Sequence, residues 1–503
     1  MSGMSKRTFF FGIDSATWDV ITPWVRNGKL PGFSLLMKGG TTKRLVSTIP
    51  PITPVAWTSL YTGVNPGKHG IYDFYRLNKR HDIAINSTAD VKRETIFDYL
   101  SRAGKRTAVL NLPLTYPVRP LNGIMVGGFT TPGIDSDFIY PASLRDEFLK
   151  RFPRYSFIER GRFSYSTASR KEFLDDLLTS IDERIALFDW IEQKERWDVF
   201  AVNFMEVDHA QHWFWKFYDK SHPDYGYDQH GKDALYKVYK RIDAYLLKTL
   251  RKGAYNRYVI FSDHGAGKYV KNINVNLLLL QEGLLKLRST PFTRLKRALY
   301  GLGATPTNAT RIALHMRALS GSKPGTGIGK AQALFLNMRD IDWHATRAFS
   351  FGSYGQIYLV DQSKKTREQV IQLLKNLEYE GKPLITALWE RETMYTGPYV
   401  KQAPHLMFSA QDFSLGASAI SPFVANTLYS HPHTLKSGEH RMEGIVGIYP
   451  RTKVRRGDTV SIPDISATLL DMNHIAIPYD WDGVSLLQTE SLPASEDVDS
   501  ISV

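Results

Sequence analysis

The chain has no cysteine among its 503 residues, which excludes disulfide bridges, thiolate metal ligands and a cysteine nucleophile. Any metal centre must then be built from carboxylates, imidazoles and hydroxyls. Long apolar runs are also missing. The stretch from Phe9 to Ile13 stops at Asp14, too short for a signal-peptide core or a membrane span, so no transmembrane segment and a cytoplasmic location are expected. Acidic residues are absent between Gly283 and Lys330, where nine basic residues fall (Lys286, Arg288, Arg294, Lys296, Arg297, Arg311, Arg317, Lys323 and Lys330). That segment reads as a basic flap or surface. The formal charge of +14 favours anionic partners in general, yet the chain carries no dedicated nucleic-acid motif, internal repeat or heptad series.

What is present is ordinary for a large folded protein: 43% hydrophobic, 12% aromatic and 23% charged residues. Short apolar runs recur as TFFFGID (8–14), RTAVLNLP (106–113), GIMVGGF (123–129), DVFAVNFMEVD (198–208), RYVIFSDHG (257–265) and GIVGIYP (444–450), separated by helical patterns such as 171–192. This alternation predicts an α/β fold with a largely parallel sheet covered by helices. Ligands of such sheets gather beyond the carboxyl ends of the strands, where Asp14, Asp208 and Asp263 fall. The expected organisation is a catalytic core in three parts (1–133, 196–275 and 431–487). A small insertion with a connecting helix (134–195) and a cap or substrate domain (276–430) interrupt it, and a flexible tail (488–503) follows.

Five stretches offer candidate chemistry. In PPITPVAWTSLYTG (50–63), prolines precede a short helical run ended by Gly63, so Thr53 at its start is either a helix cap or a positioned reactive hydroxyl. In EVDHAQHW, Asp208 and His212 stand four residues apart, one face of a helix and a spacing suited to a shared ion. Asp263 and His264 follow an apolar run and precede Gly265, so their side chains converge only in a strand-end turn. His440 lies on a loop feeding another apolar strand. Lys68 and His69 in NPGKHG either face a phosphate pocket or merely redirect the chain.

Taken in order, FFGID, LPGFSLLMKGG, PPITPVAWTSLYTGVNPGKHGIYDF, NLPLTYPVRPLNGIMVGGF, EVDHAQHWFWKFYD, FSDHG, SGEHRMEG and IPDISATLLDMNHIAIPYDWDG resemble the alkaline phosphatase superfamily, in its type I phosphodiesterase/nucleotide pyrophosphatase branch and the related phosphohydrolase/phosphomutase proteins. The resemblance implies an alkaline-phosphatase-like sandwich with inserted caps. It implies that Asp14, Thr53, Asp263 and His264 surround one divalent ion while Asp208, His212 and His440 hold a second, with zinc the first expectation and manganese the alternative. Thr53 would be the nucleophile of a phosphoester hydrolase acting on a small phosphorylated substrate through a phosphothreonine. Monoester and diester both remain open, and a phosphomutase is the nearest rival. An anion-binding or nucleic-acid-binding protein without turnover is the alternative of another class. Formylglycine-type sulfatase chemistry is disfavoured, because TPVA supplies neither the modifiable residue nor the arginine of those enzymes. Ala56 offers no side-chain donor, so phosphate recognition falls to caps, backbone amides or a basic residue. The sequence does not specify an oligomeric state.

Overall fold

Six consecutive residues, TFFFGI, form the wholly buried strand β1 (Thr8–Ile13) at the middle of the protein's main sheet. The computed structural model describes residues 7–78, 80–158, 164, 166–312, 335–432, 435–455, 457 and 459–488. The expected tail from 489 onward, Arg317, Lys323 and Lys330 lie outside the described residues. The other strands of the main sheet are β2 (Thr41–Val46), β3 (Thr107–Leu112), β4 (Gly123–Gly127), β5 (Ile139–Tyr140), β6 (Val199–Phe204), β7 (Arg257–Phe261), β8 (Glu443–Tyr449) and β9 (Thr459–Ser461). They lie in the order β9-β2-β8-β7-β1-β6-β3-β4-β5. The central run from β7 to β4 is parallel throughout, whereas β8 joins β2 and β7 antiparallel.

Alternation along β1 assigns its phenylalanines to two layers. Phe9 and Phe11 pack with helices α2 (Thr167–Glu192), α3 (Glu206–Tyr218) and α4 (Ala234–Lys252). Phe10 packs on the other face with α1 (Thr53–Thr62) and α6 (Ile462–Met472). Each buried phenylalanine contributes about 1.5–3 kcal/mol, so a one-residue register slip would be strongly disfavoured. This is an α/β sandwich with a mostly parallel central sheet.

A second, smaller sheet of seven strands draws on residues 271–430 and has its own apolar core around Leu284, Phe349, Ile357 and Leu406. It abuts the main body through Asp73, whose carboxylate accepts from the Ser353 amide at 2.8 Å and from Gln356 at 3.0 Å. Two local expectations shift. The helix read over 365–381 ends at Lys375, because Glu380 and Gly381 adopt positive φ and turn a hairpin that pairs Glu378–Tyr379 with Lys382–Pro383. The strand read over 198–208 ends at Phe204, and Asp208 stands in the first turn of α3 instead of at a strand end.

Near the site, NPGKHG forms a helical turn whose polar groups are spent on packing. Lys68 Nζ lies 2.5 Å from Asp482, and His69 Nε2 donates to Ser59 Oγ at 2.9 Å while its Nδ1 accepts from Ile71 N–H at 3.1 Å. Burial pushes the His69 imidazole down to about 3. The unfolded chain takes up this proton below about 6.5 and the folded chain does not, so stability falls as pH drops from about 6.5 towards 3, by about 1.4 kcal/mol per pH unit for this group. A His69→Gln variant, which cannot be protonated, should lose less stability than wild type on acidification over this range in urea titrations. An equal loss would remove His69 from the acid response.

Candidate active site and metal centre

Strand ends and one helix deliver the candidate residues to a single place. Asp14 directly follows β1, and Asp263 and His264 follow its parallel neighbour β7 after one intervening serine. α3 carries Asp208 and His212 on one face. His440 arrives on the strand Gly438–Arg441, which pairs antiparallel with Gly265–Lys268 so that Ala266 opposes His440. Asp14, Asp263 and His264 form one group whose ligand atoms lie within 4.8 Å of one another, and Asp208, His212 and His440 form another. The groups adjoin, for the rings of His264 and His440 stack at 3.7 Å. All six residues are buried.

Thr53 sits at the first position of α1, 2% exposed, with Oγ 3.4 Å from His264 Nε2. It does not cap the helix: the cap residue is Ile52, and no side chain caps that end. The prolines explain this placement, since Pro50 and Pro51 keep the approach extended and Pro54 starts the helix where a missing N–H costs nothing. Gly63 ends the helix at φ +69, with Trp481 so close that a Cβ would meet it at 2.1 Å.

The hydrogen bonds around the two groups fix the tautomer of each imidazole and leave one oxygen of each carboxylate without a partner. His212 Nδ1 meets the Gly438 carbonyl at 2.8 Å, His440 Nδ1 the Pro51 carbonyl at 2.7 Å and His264 Nδ1 the Gly265 carbonyl at 3.2 Å. A carbonyl only accepts, so in each ring Nδ1 carries the hydrogen and Nε2 is an acceptor. Asp14 Oδ2 accepts from the Trp57 indole at 2.9 Å and Asp263 Oδ1 from the Ser15 amide at 3.1 Å. Asp14 Oδ1, Asp263 Oδ2 and Asp208 Oδ1 are buried with no hydrogen-bond partner. Such orphaned oxygens are costly unless a cation meets them. The mixed carboxylate and imidazole donor set therefore fits two divalent ions.

Electrostatics point the same way. Burial, and then the charge of Asp263, push the Asp14 carboxyl well above the usual carboxylate range. Burial pushes Asp263 up to about 7. Burial also drives the His212 imidazole down to about 3, leaving it neutral near neutral pH. The first group thus concentrates negative charge that lacks a counter-charge.

Some neighbours were not legible in the sequence. Glu439 Oε1 lies 3.9 Å from His212 Nδ1 and accepts the hydroxyl of Tyr354, which comes from the smaller sheet's region. Lys436 brings Nζ to 3.2 Å from His212 Nε2. The place of Glu439 immediately before His440 was a faint signal, whereas nothing in the sequence linked Tyr354 to the site.

Gly438 sets the close approach of its strand to α3, since a Cβ there would meet the Gln211 carbonyl at 2.1 Å. Gly438→Ala should push the His440 strand away from His212 and lower turnover on the order of 10²-fold, the scale of an ångström-level misplacement. Unchanged kinetics in that variant would show that the strand tolerates the shift.

Residues 8–333 match the family model described as type I phosphodiesterase/nucleotide pyrophosphatase. The chain belongs to that family. Its members are metal-dependent hydrolases of the alkaline phosphatase superfamily. The matched residues include every candidate position except His440, which strand pairing brings to the others. The fold is similar to that of phosphonoacetate hydrolase from Sinorhizobium meliloti 1021, with 15% identity, 94% of this chain and 96% of that chain covered and a TM-score of 0.55. It is similar also to murine ectonucleotide pyrophosphatase/phosphodiesterase 5, at 12% identity, 95% and 97% coverage and a TM-score of 0.51. The alkaline phosphatase PafA matches at 14% identity, 96% and 99% coverage and a TM-score of 0.51. No curated protein matches the chain. Among the described residues no helix is long and apolar enough to cross a membrane.

Proposed function

We propose that this phosphodiesterase-family protein hydrolyses a small phosphoester by two displacements, with Thr53 as nucleophile. The reading is supported by one observation: three imidazoles that carry their hydrogen on Nδ1 and three orphaned carboxylate oxygens form two adjoining buried groups, and the buried Thr53 hydroxyl stands beside His264 of the first. Asp14, Asp263 and His264, with Thr53, would hold one divalent ion, and Asp208, His212 and His440 the other. Zinc suits this donor set first and manganese second. Bound there, such ions favour the deprotonated hydroxyl and offset charge on the entering and leaving oxygens.

The chain's own groups then do the positioning. The start of α1 fixes Thr53 Oγ in line with phosphorus, at a helix end whose dipole favours negative charge. Oγ forms a bond to phosphorus as the bond to the leaving oxygen breaks, and that oxygen takes a proton from solvent. Water next attacks phosphorus, the bond to Oγ breaks and the threonine hydroxyl is restored. The backbone carbonyls of Pro51, Gly265 and Gly438 keep the three imidazoles in one tautomer throughout. In this reading the part of residues 276–430 that reaches the site, around Tyr354, selects the organic part of the substrate.

Hydrolysis of a chiral phosphoester labelled with oxygen isotopes tests the scheme. Two in-line displacements retain configuration at phosphorus, whereas inversion would mean direct attack by water and would sink the role of Thr53. Transfer to an acceptor alcohol without net release of phosphate would identify a phosphomutase instead.

A further inference from the structure

Helix α5 (Pro291–Gly301) lies in the basic segment and is turned inside out. Its buried positions are polar: Thr293 donates to Asp340 at 3.0 Å, Lys296 Nζ pairs with the same carboxylate at 3.0 Å, and the Tyr300 hydroxyl donates to the Ala425 carbonyl. Its apolar positions face outward. Phe292 is 56% exposed, Leu295 56%, Leu299 42% and Leu302, just past the helix end, 85%. These residues recur at the three- and four-residue spacing that makes one stripe. The chain is helical again over 306–312, where Ile312 is 62% exposed. Arg294 and Arg297 are exposed on a second stripe of α5, and Lys286, Arg288 and Arg311 are exposed nearby in sequence.

A surface helix ordinarily buries its apolar side, and a contiguous apolar stripe left outside marks an interaction surface. The charge around it narrows the partner. With Lys286, Arg288, Arg294, Arg297 and Arg311 exposed on the helix or near it in sequence, the surface would repel a second copy of itself and attract a surface that is anionic and apolar beneath. A bilayer containing anionic lipid has both properties. Leucine and phenylalanine enter the headgroup and acyl boundary while arginines reach the phosphates, the pattern of helices that lie in the membrane plane. We propose that α5 docks the protein on an anionic membrane surface.

The test is sedimentation of the full chain with vesicles of phosphatidylcholine alone or with added phosphatidylglycerol. Wild type should bind the mixed vesicles at least about tenfold more than the neutral ones, and less as salt is raised. Leu295→Glu with Leu299→Glu should lose this binding, and Arg294→Gln with Arg297→Gln should weaken it several-fold. All variants should keep the wild-type melting temperature and turnover of a soluble aryl phosphoester. Equal binding by wild type and the leucine variant would overturn the proposal. So would concentration-dependent dimerisation that the leucine variant abolishes, which assigns the face to a second copy. Protection of Phe292 and Leu295 from hydroxyl-radical footprinting without vesicles would show the face already covered by the chain, and salt-sensitive DNA binding without vesicle binding would assign the charge elsewhere. Either result overturns it.

Discussion

Thr53→Ala is expected to lower turnover of an aryl phosphoester by roughly 10⁴-fold or more, the scale seen when a covalent nucleophile is removed, with no comparable loss of stability. Thr53 contributes little to the fold: Ile52 caps α1, and the hydroxyl's recorded contact is His264 at 3.4 Å. Asp263 and the three imidazoles keep their backbone partners and Asp14 its Trp57 indole in the variant, so metal content measured by elemental analysis should stay near wild type. Acid-quenched turnover followed by peptide mass spectrometry should find phosphate on Thr53 in wild type and none in the alanine variant. Thr53→Ser, which keeps an oxygen at the same helix position, should recover most of the lost rate. An alanine variant with full metal content and near-normal turnover would mean that water attacks phosphorus directly.

Stripping divalent ions with a chelator should remove both activity and a measurable part of the stability. Asp14, Asp208 and Asp263 are all buried, and each keeps one oxygen without a hydrogen bond. Without cations, burial above all and then their mutual repulsion make Asp14 and Asp263 hold their protons more tightly. An ion present at 100 to 1,000 times its dissociation constant stabilises the native state by about 2.7–4.1 kcal/mol, so the melting temperature should drop on chelation and recover when zinc or manganese is returned. Asp263→Asn removes one of the clustered charges, and its apo form should therefore melt closer to its metal-loaded form than wild type does. If chelation leaves the wild-type melting temperature unchanged while elemental analysis shows the ions gone, the orphaned carboxylates are not paired with cations, and the metal-centre reading fails.

Much of the site was readable because it is local. An apolar run that ends on a carboxylate marks a strand delivering Asp14 or Asp263 to the sheet edge, and a four-residue spacing places Asp208 and His212 on one helical face whatever surrounds them. The α/β fold was readable for a related reason: period-two burial and continuous apolar runs are properties of each segment alone. The boundary before Asp208 was not, since VNFMEVD suits a strand end or a helix start equally and packing of α3 against α2 and the His440 strand decides it.

The sequence by itself determined which apolar runs end on carboxylates, the carboxylate and imidazole types of the candidate ligands and the absence of thiolate alternatives. The tertiary structure alone decided which ring nitrogens of those residues carry the hydrogen. His440 and Pro51 are far apart in the chain, as are His212 and Gly438, yet each pair makes the bond that fixes an imidazole tautomer. It alone decided that Tyr354 stands beside Glu439, and that α5 turns outward its apolar stripe. In that helix Lys296 is drawn inward by Asp340, 44 residues away in sequence. A buried ion pair can form only after the chain has brought its partners together, so no local pattern announces it.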